Sequence, residues 1–208
     1  MDTLSNCAGR QDGWRGVMRR LDNYMKLDTF QKIKKEFGHY SSFAIWNEDN
    51  IDDLEVFEKN LKLLHGKIIF VAYNASAPII KFQNFHKKRS GGRDVWLAKT
   101  IGKDGLFKGA YMTDFFKGDF ARRVNIVEVN DKIIAKNLKI LEREIAMLGQ
   151  KKNIIIAIGS DAQKILKRCN VHCHLIPHYA GRIKYKEFDK RVSDLSKELQ
   201  KIYNSFAV

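Results

Sequence analysis

Apolar positions along the chain recur with two different periods, and the changes of period mark out its elements. Leu27, Phe30, Ile33 and Phe37 follow one another at steps of three and four. That spacing predicts a helix with one buried face, stopped at Gly38. Asp52 and Asp53 open a second amphipathic stretch, with Leu54, Phe57, Leu61 and Leu64 on one side and Gly66 at its end. Residues 67–73 then read Lys-Ile-Ile-Phe-Val-Ala-Tyr, a continuous β-branched and aromatic run expected of a strand covered on both faces. Residues 153–158 repeat that pattern and are closed by Gly159. Ser160 and Gln163 have the spacing of a capping box that opens a helix.

Residues 109–113 and 171–176 predict two more strands. A long helix is expected over 130–148, where Ile134, Leu138, Leu141, Ile145 and Leu148 alternate at steps of four and three, and a charged C-terminal helix over 188–203. Residues 41–46 are apolar without a period, so their type stays open. Strands that alternate with helices predict an α/β fold, a three-layer α/β/α sandwich around a mostly parallel four-stranded sheet. Residues 1–20 read as a flexible lead-in and 21–208 as a single domain. In such a fold ligands sit outside the carboxyl ends of the strands. That points to four places: after Tyr73, at Asp114, after Ile158 and after Ile176.

Charge changes this picture most. The chain has 208 residues and a formal net charge of +14. Between Lys81 and Arg123 eleven basic residues face four acids, so about a fifth of the chain carries half the excess. Such clustering is the footprint of a polyanion, and it predicts nucleic acid, DNA above all, as the partner. The competing reading is a solvated surface. Three cysteines, Cys7, Cys169 and Cys173, form no disulfide framework and predict a reducing compartment, the cytoplasm. No apolar run approaches the ~18 residues that span a bilayer, so no membrane is expected. A monomer without cofactor is expected.

Several familiar chemistries lack their residues. There is no phosphate-binding Gly-x-x-x-x-Gly-Lys and no Gly-x-Gly-x-x-Gly after a strand. Ser160 follows Gly159 but lacks the full nucleophile elbow. Cys169, His172, Cys173, His174 and His178 invite a metal reading, yet strand alternation sets His172 and His174 apart from Cys173. No metal is expected, and three cysteines fall short of the four an iron–sulfur cluster usually needs.

What remains is the turn Ala72-Tyr73-Asn74-Ala75-Ser76, where small residues surround one amide at a strand's end. A strand, then Asn, then small residues resembles the first motif of the uracil-DNA glycosylase superfamily, nearest its mismatch-specific and thymine-type branch. That motif reads Gly-x-Asn-Pro-Gly, so of its fixed residues Asn74 alone is kept. Asn84-Phe85-His86, Asp94 with Leu97, and residues 109–114 resemble segments of glycosylase-like proteins. Residues 156–159 resemble that family's next strand, and Pro177-His178-Tyr179-Ala180 occupies the place of its last motif. The resemblance covers about 37–182. It implies hydrolysis of the N-glycosidic bond of uracil or a damaged base in DNA.

By that resemblance Asn74 positions water or contacts the sugar, and His178 neutralises the leaving base or holds a phosphate. Phe85 or Phe82 stacks on the base, with Tyr73 and Asp114 also at the base. Ser76, Lys87, Lys88, Arg89, Arg93, Tyr179 and Arg182 grip the DNA backbone. Asp114 is also read as a second catalytic acid or, because Thr-Asp pairs often cap helices, as a cap. A different class of function fits the same basic patch: a non-catalytic nucleic-acid or nucleotide binding module.

Overall fold

A computed structural model describes residues 25–75, 80–86, 93–103, 105–118, 129–150 and 152–205. The elements in chain order are α1 (Leu27–Glu36), β1 (Ser41–Phe43), α2 (Val56–Lys59), β2 (His65–Asn74), α3 (Asp94–Thr100), β3 (Ala110–Phe116), α4 (Asp131–Met147), β4 (Ile154–Ile158), α5 (Ser160–Arg168), β5 (His174–Ile176) and α6 (Tyr185–Ser205). The strands form one five-stranded sheet of order β1-β3-β2-β4-β5. β1 runs antiparallel to β3, and the other neighbours are parallel. The expected four-stranded sheet is therefore one strand short. The extra strand is Ser41–Phe43, whose three residues are all buried and show no polar–apolar alternation to read.

The second amphipathic stretch is not a continuous helix. It winds one turn, breaks at Asn60 and continues as a 3-10 turn over Leu61–Leu63. Asn60 turns its amide back to the Val56 carbonyl at 2.8 Å, the local side-chain bond that competes with helix propagation. Helix α4 starts where expected, because the Asn130 side chain accepts the Ile133 N–H at 2.9 Å. Helix α5 does not use the capping box. Its N-cap is Gly159 at φ 91°, no side chain caps it, and Ser160 is its first residue.

Strand side chains divide between two buried clusters. Ile69 and Val71 of β2 join Tyr111 of β3 and Ala157 of β4, against Phe30 and Ile33 of α1, Leu141 of α4 and Leu166 of α5. Ile68, Phe70 and Ala72 join Met112, Ile156 and Ile158, against Leu97 of α3 and Phe188, Val192 and Leu199 of α6. Alternation along β2 thus assigns odd positions to one side of the sheet and even positions to the other.

The segment 80–86 is laced to the chain around β1. Gly38, Tyr40 and Phe43 carbonyls accept from the Phe82 N–H at 2.7 Å, the Asn84 amide at 2.8 Å and His86 Nε2 at 3.0 Å. Phe82 and Phe85 both adopt positive φ, 62° and 64°, which bulky residues avoid unless the surroundings impose it. No helix among the described residues is long and apolar enough to cross a membrane.

Candidate site at the carboxyl ends of the parallel strands

Asp114 sits inside β3, opposite Ala72 of β2, and so is not a helix cap. It is 2% exposed and shares the side of the sheet lined by Met112 and Ala72. The Asn84 amide donates to Asp114 Oδ2 at 2.7 Å while also holding the Tyr40 carbonyl. Burial is the dominant influence on this carboxyl and pushes its pKa up to about 7, against smaller lowering effects of Asn84 and Lys117. Asp114 is therefore protonated below neutral pH and can donate as well as accept a hydrogen bond.

Asn74 ends β2, two residues beyond Ala72 and in register with Phe116 of β3. Its amide donates to the Ala75 carbonyl at 3.0 Å. Tyr73 points to the side of the sheet opposite Asp114. Its ring meets Phe116 at 4.9 Å, and it lines a shallow depression of about 180 Å³ with Asp161, Lys164, Ile165 and Arg168 of α5. Tyr73 thus faces α5 and the first cluster, and the structure does not bring it beside Asp114.

His178 lies just past β5. Its Nδ1 accepts the Ala180 N–H at 3.1 Å, which leaves the proton of the neutral ring on Nε2. Burial lowers its pKa, only partly opposed by Asp161. The ring stacks on Tyr179, with centroids 4.8 Å apart and planes 14° off parallel. Its Cβ lies 3.0 Å from where a side chain on Gly159 would begin. Gly159→Ala, at φ 91°, is expected to cost about 1–2 kcal/mol in urea denaturation through backbone strain, with His178 displaced.

Tyr179 turns its hydroxyl inward, where it hydrogen-bonds the Asp94 carboxylate and feels Asp114. Burial and these two acids hold its pKa well above the ordinary phenol value. Arg93 donates to the Gly181 carbonyl at 2.6 Å and approaches that of Tyr179 at 3.5 Å, with its guanidinium 4.7 Å over the Trp96 ring. Neither residue is turned out as a contact for a DNA backbone; both are engaged within the chain. Arg182 is exposed. Ser76, Lys87, Lys88 and Arg89 lie outside the described residues.

The aromatic expectations are corrected more sharply. Phe82 is 1% exposed, packed between Phe30, Phe43 and Phe57 at 5.2–5.7 Å between ring centroids. Phe85 is 5% exposed in the other cluster, and its carbonyl accepts from Trp46 Nε1. Neither ring offers a face for a base. Lys117, counted in the basic segment, is also internal: its ammonium meets Glu144 at 2.6 Å with both side chains at most 1% exposed. Among the described residues no group of three or more His, Cys, Asp or Glu side chains is arranged to hold a metal. The His172 and His174 rings are 5.9 Å apart, and burial raises the thiol pKa of Cys169 and Cys173.

No protein-family model matches the chain, and no curated protein matches its sequence. The site is therefore argued from its own chemistry. Asn74 offers an amide, Asp114 a carboxyl that is neutral below about pH 7, and His178 a neutral imidazole with its proton on Nε2; among the described contacts none joins the three directly, and their nearest charged or hydrogen-bonded neighbours differ. Two partners escaped the sequence reading of the site, Asn84 and Asp94. Each stands among other polar residues, Gln83 and His86 around Asn84 and Arg93 beside Asp94, so nothing local marks it as a partner of the site.

Proposed function

We propose that this protein hydrolyses the N-glycosidic bond of uracil or a damaged base in DNA, on a three-layer α/β/α scaffold of the uracil-DNA glycosylase kind. The observation that carries the reading is His178, a neutral imidazole whose Nδ1 is occupied by the Ala180 N–H, so that only Nε2–H is offered. Breaking the bond between base and sugar leaves electrons on the base and positive charge on the sugar. A neutral donor at the departing base stabilises that negative charge without first forming an ion pair. Water adds its oxygen to the sugar carbon and loses a proton to solvent, and the base gains one. Asn74 orients the water but cannot take its proton, so catalysis through it is slower than through a carboxylate. Asp114 is 2% exposed and held by the Asn84 amide, so it takes no step here.

The test is release of free base from single- and double-stranded oligonucleotides carrying uracil or a panel of lesions. Release is expected to fall at least ~100-fold in Asn74→Ala and in His178→Ala. A folded wild-type protein that frees no base from any substrate sinks the activity.

Two observations favour a second reading, a non-catalytic nucleic-acid or nucleotide binding module. Phe82 and Phe85 are buried, which removes the expected stacking platform. Ala75 and Ser76 stand where the resembled motif has Pro and Gly. In the same oligonucleotide experiment this reading gives strongly salt-dependent binding with no base released.

A further inference from the structure

Helix α3 opens with a basic and an acidic residue that both reach the loop after β5. Arg93 donates to the Gly181 carbonyl at 2.6 Å and approaches that of Tyr179 at 3.5 Å. Asp94, the next residue, takes the hydroxyl of the same Tyr179. One end of Tyr179 is thus gripped at its backbone and the other at its phenol. Arg93 is itself anchored over Trp96, whose ring rests on Tyr185 and Phe188 of α6. Tyr179 in turn forms the flat surface against which the His178 ring lies, and Gly159 leaves room on the side of β4.

We infer that Arg93 and Asp94 are positioning residues, a clamp that acts through Tyr179 to fix the ring orientation and the tautomer of His178. The inference concerns the imidazole itself and stands whether or not the protein releases a base. Its physical content is an orientation. Held flat on Tyr179, the ring keeps Nδ1 on the Ala180 N–H, where a proton cannot be accommodated without setting two donors against each other. Freed from Tyr179, the ring turns, loses that contact and takes up a proton as an ordinary histidine does. The charged group that acts on it is Asp161 in the first turn of α5, while Asp94 and Asp114 act on its stacking partner Tyr179. Asp161 favours protonation, so the low basicity of the ring depends on burial and on its fixed contacts.

The experiment is nitrogen-15 NMR of histidine-labelled protein, with the His178 signals assigned by their loss in His178→Asn. In the wild type, His178 is expected as the neutral Nε2–H tautomer, titrating below the ordinary histidine value. In Arg93→Gln and in Tyr179→Phe the midpoint is expected to rise by at least about half a pH unit, and the shifts to move toward a mixture of tautomers. Arg93→Lys, which keeps the charge but not the planar fork, is expected to fall between, and replaces Arg93→Gln if that variant does not fold. A clamp that merely stabilised the loop would lower the melting temperature and leave the His178 titration unmoved. Wild-type His178 signals in folded Arg93→Gln or Arg93→Lys and in Tyr179→Phe overturn the inference. Loss of base release with an unchanged His178 titration overturns it too, while leaving the glycosylase reading intact.

Discussion

Replacing Lys117 with methionine is expected to destabilise the protein by about 3–5 kcal/mol, enough to unfold a domain of ordinary stability. The Lys117 ammonium lies 2.6 Å from Glu144 Oε2, with both side chains almost wholly out of water. Glu144 Oε1 also accepts the Tyr111 hydroxyl at 3.0 Å and the Thr113 hydroxyl at 2.9 Å. Methionine fills similar volume, so the loss comes from electrostatics rather than from a cavity. It strands a buried carboxylate with two hydroxyl donors and no cation. Replacing both partners at once, as Lys117→Met with Glu144→Met, removes the charge problem and is expected to recover at least half the loss. Urea denaturation of the two single variants and the double variant decides the matter. A loss below about 1 kcal/mol for Lys117→Met means that water reaches Glu144.

Acidification from pH 6.5 to 4 is expected to remove a further ~3 kcal/mol, through protons that only the unfolded chain can bind. His86 is fully buried, donates from Nε2 to the Phe43 carbonyl and is held by burial at a pKa of about 3. His65 is lowered to about 4 by burial and by Lys67. Both are depressed below the unfolded value of about 6.5, so their contribution is complete above that pH and is lost as pH falls. Asp114 works the other way. Its folded pKa of about 7 lies above the ordinary carboxylate value, so the folded state holds a proton that the unfolded state has released. Over this window His86 and His65 act against Asp114, with the lowered His178 adding in their direction, and unfolding takes up at least a net proton. At ~1.4 kcal/mol per pH unit that gives the figure above. Asp114→Asn removes the opposing contribution and should roughly double the slope. A flat stability between pH 6.5 and 4 contradicts the burial of the His86 ring and of His65 Nδ1.

The elements legible in the sequence were those with a strong period. The run at 67–73 appears as β2, that at 154–158 as β4, and the helix expected over 130–148 is α4, Asp131–Met147. The candidate location rests on the same signal, since it is taken from where parallel strands end. Its membership was not legible there. Tyr73 packs toward α5 and Asp114 toward the other cluster, because alternation divides the strand residues between two sides and only their partners show which is which. Arg93 and Lys117 were counted as surface charge because composition does not tell an exposed cation from one spent on a carbonyl or a buried carboxylate. Phe85 or Phe82 was expected to stack on a base from the resemblance and from the basic residues around them. The turns at positive φ that fold both rings inward come from tertiary contacts, not from local preference.

Asn84 joins two places that would otherwise be independent. It ties Asp114 to the segment 80–86, and the same segment lies on the free side of β1, where His86 occupies the Phe43 carbonyl. Ala44 exchanges its backbone bonds with the chain leading into β3, so the Phe43 carbonyl faces away from the sheet. Drawing 82–86 aside to widen access to Asp114 would therefore bare the edge of a terminal strand. An unguarded edge is a template for another chain. Opening this end would thus expose the carboxyl and part of a strand edge together, although the Ile45 N–H would still hold the Phe43 carbonyl.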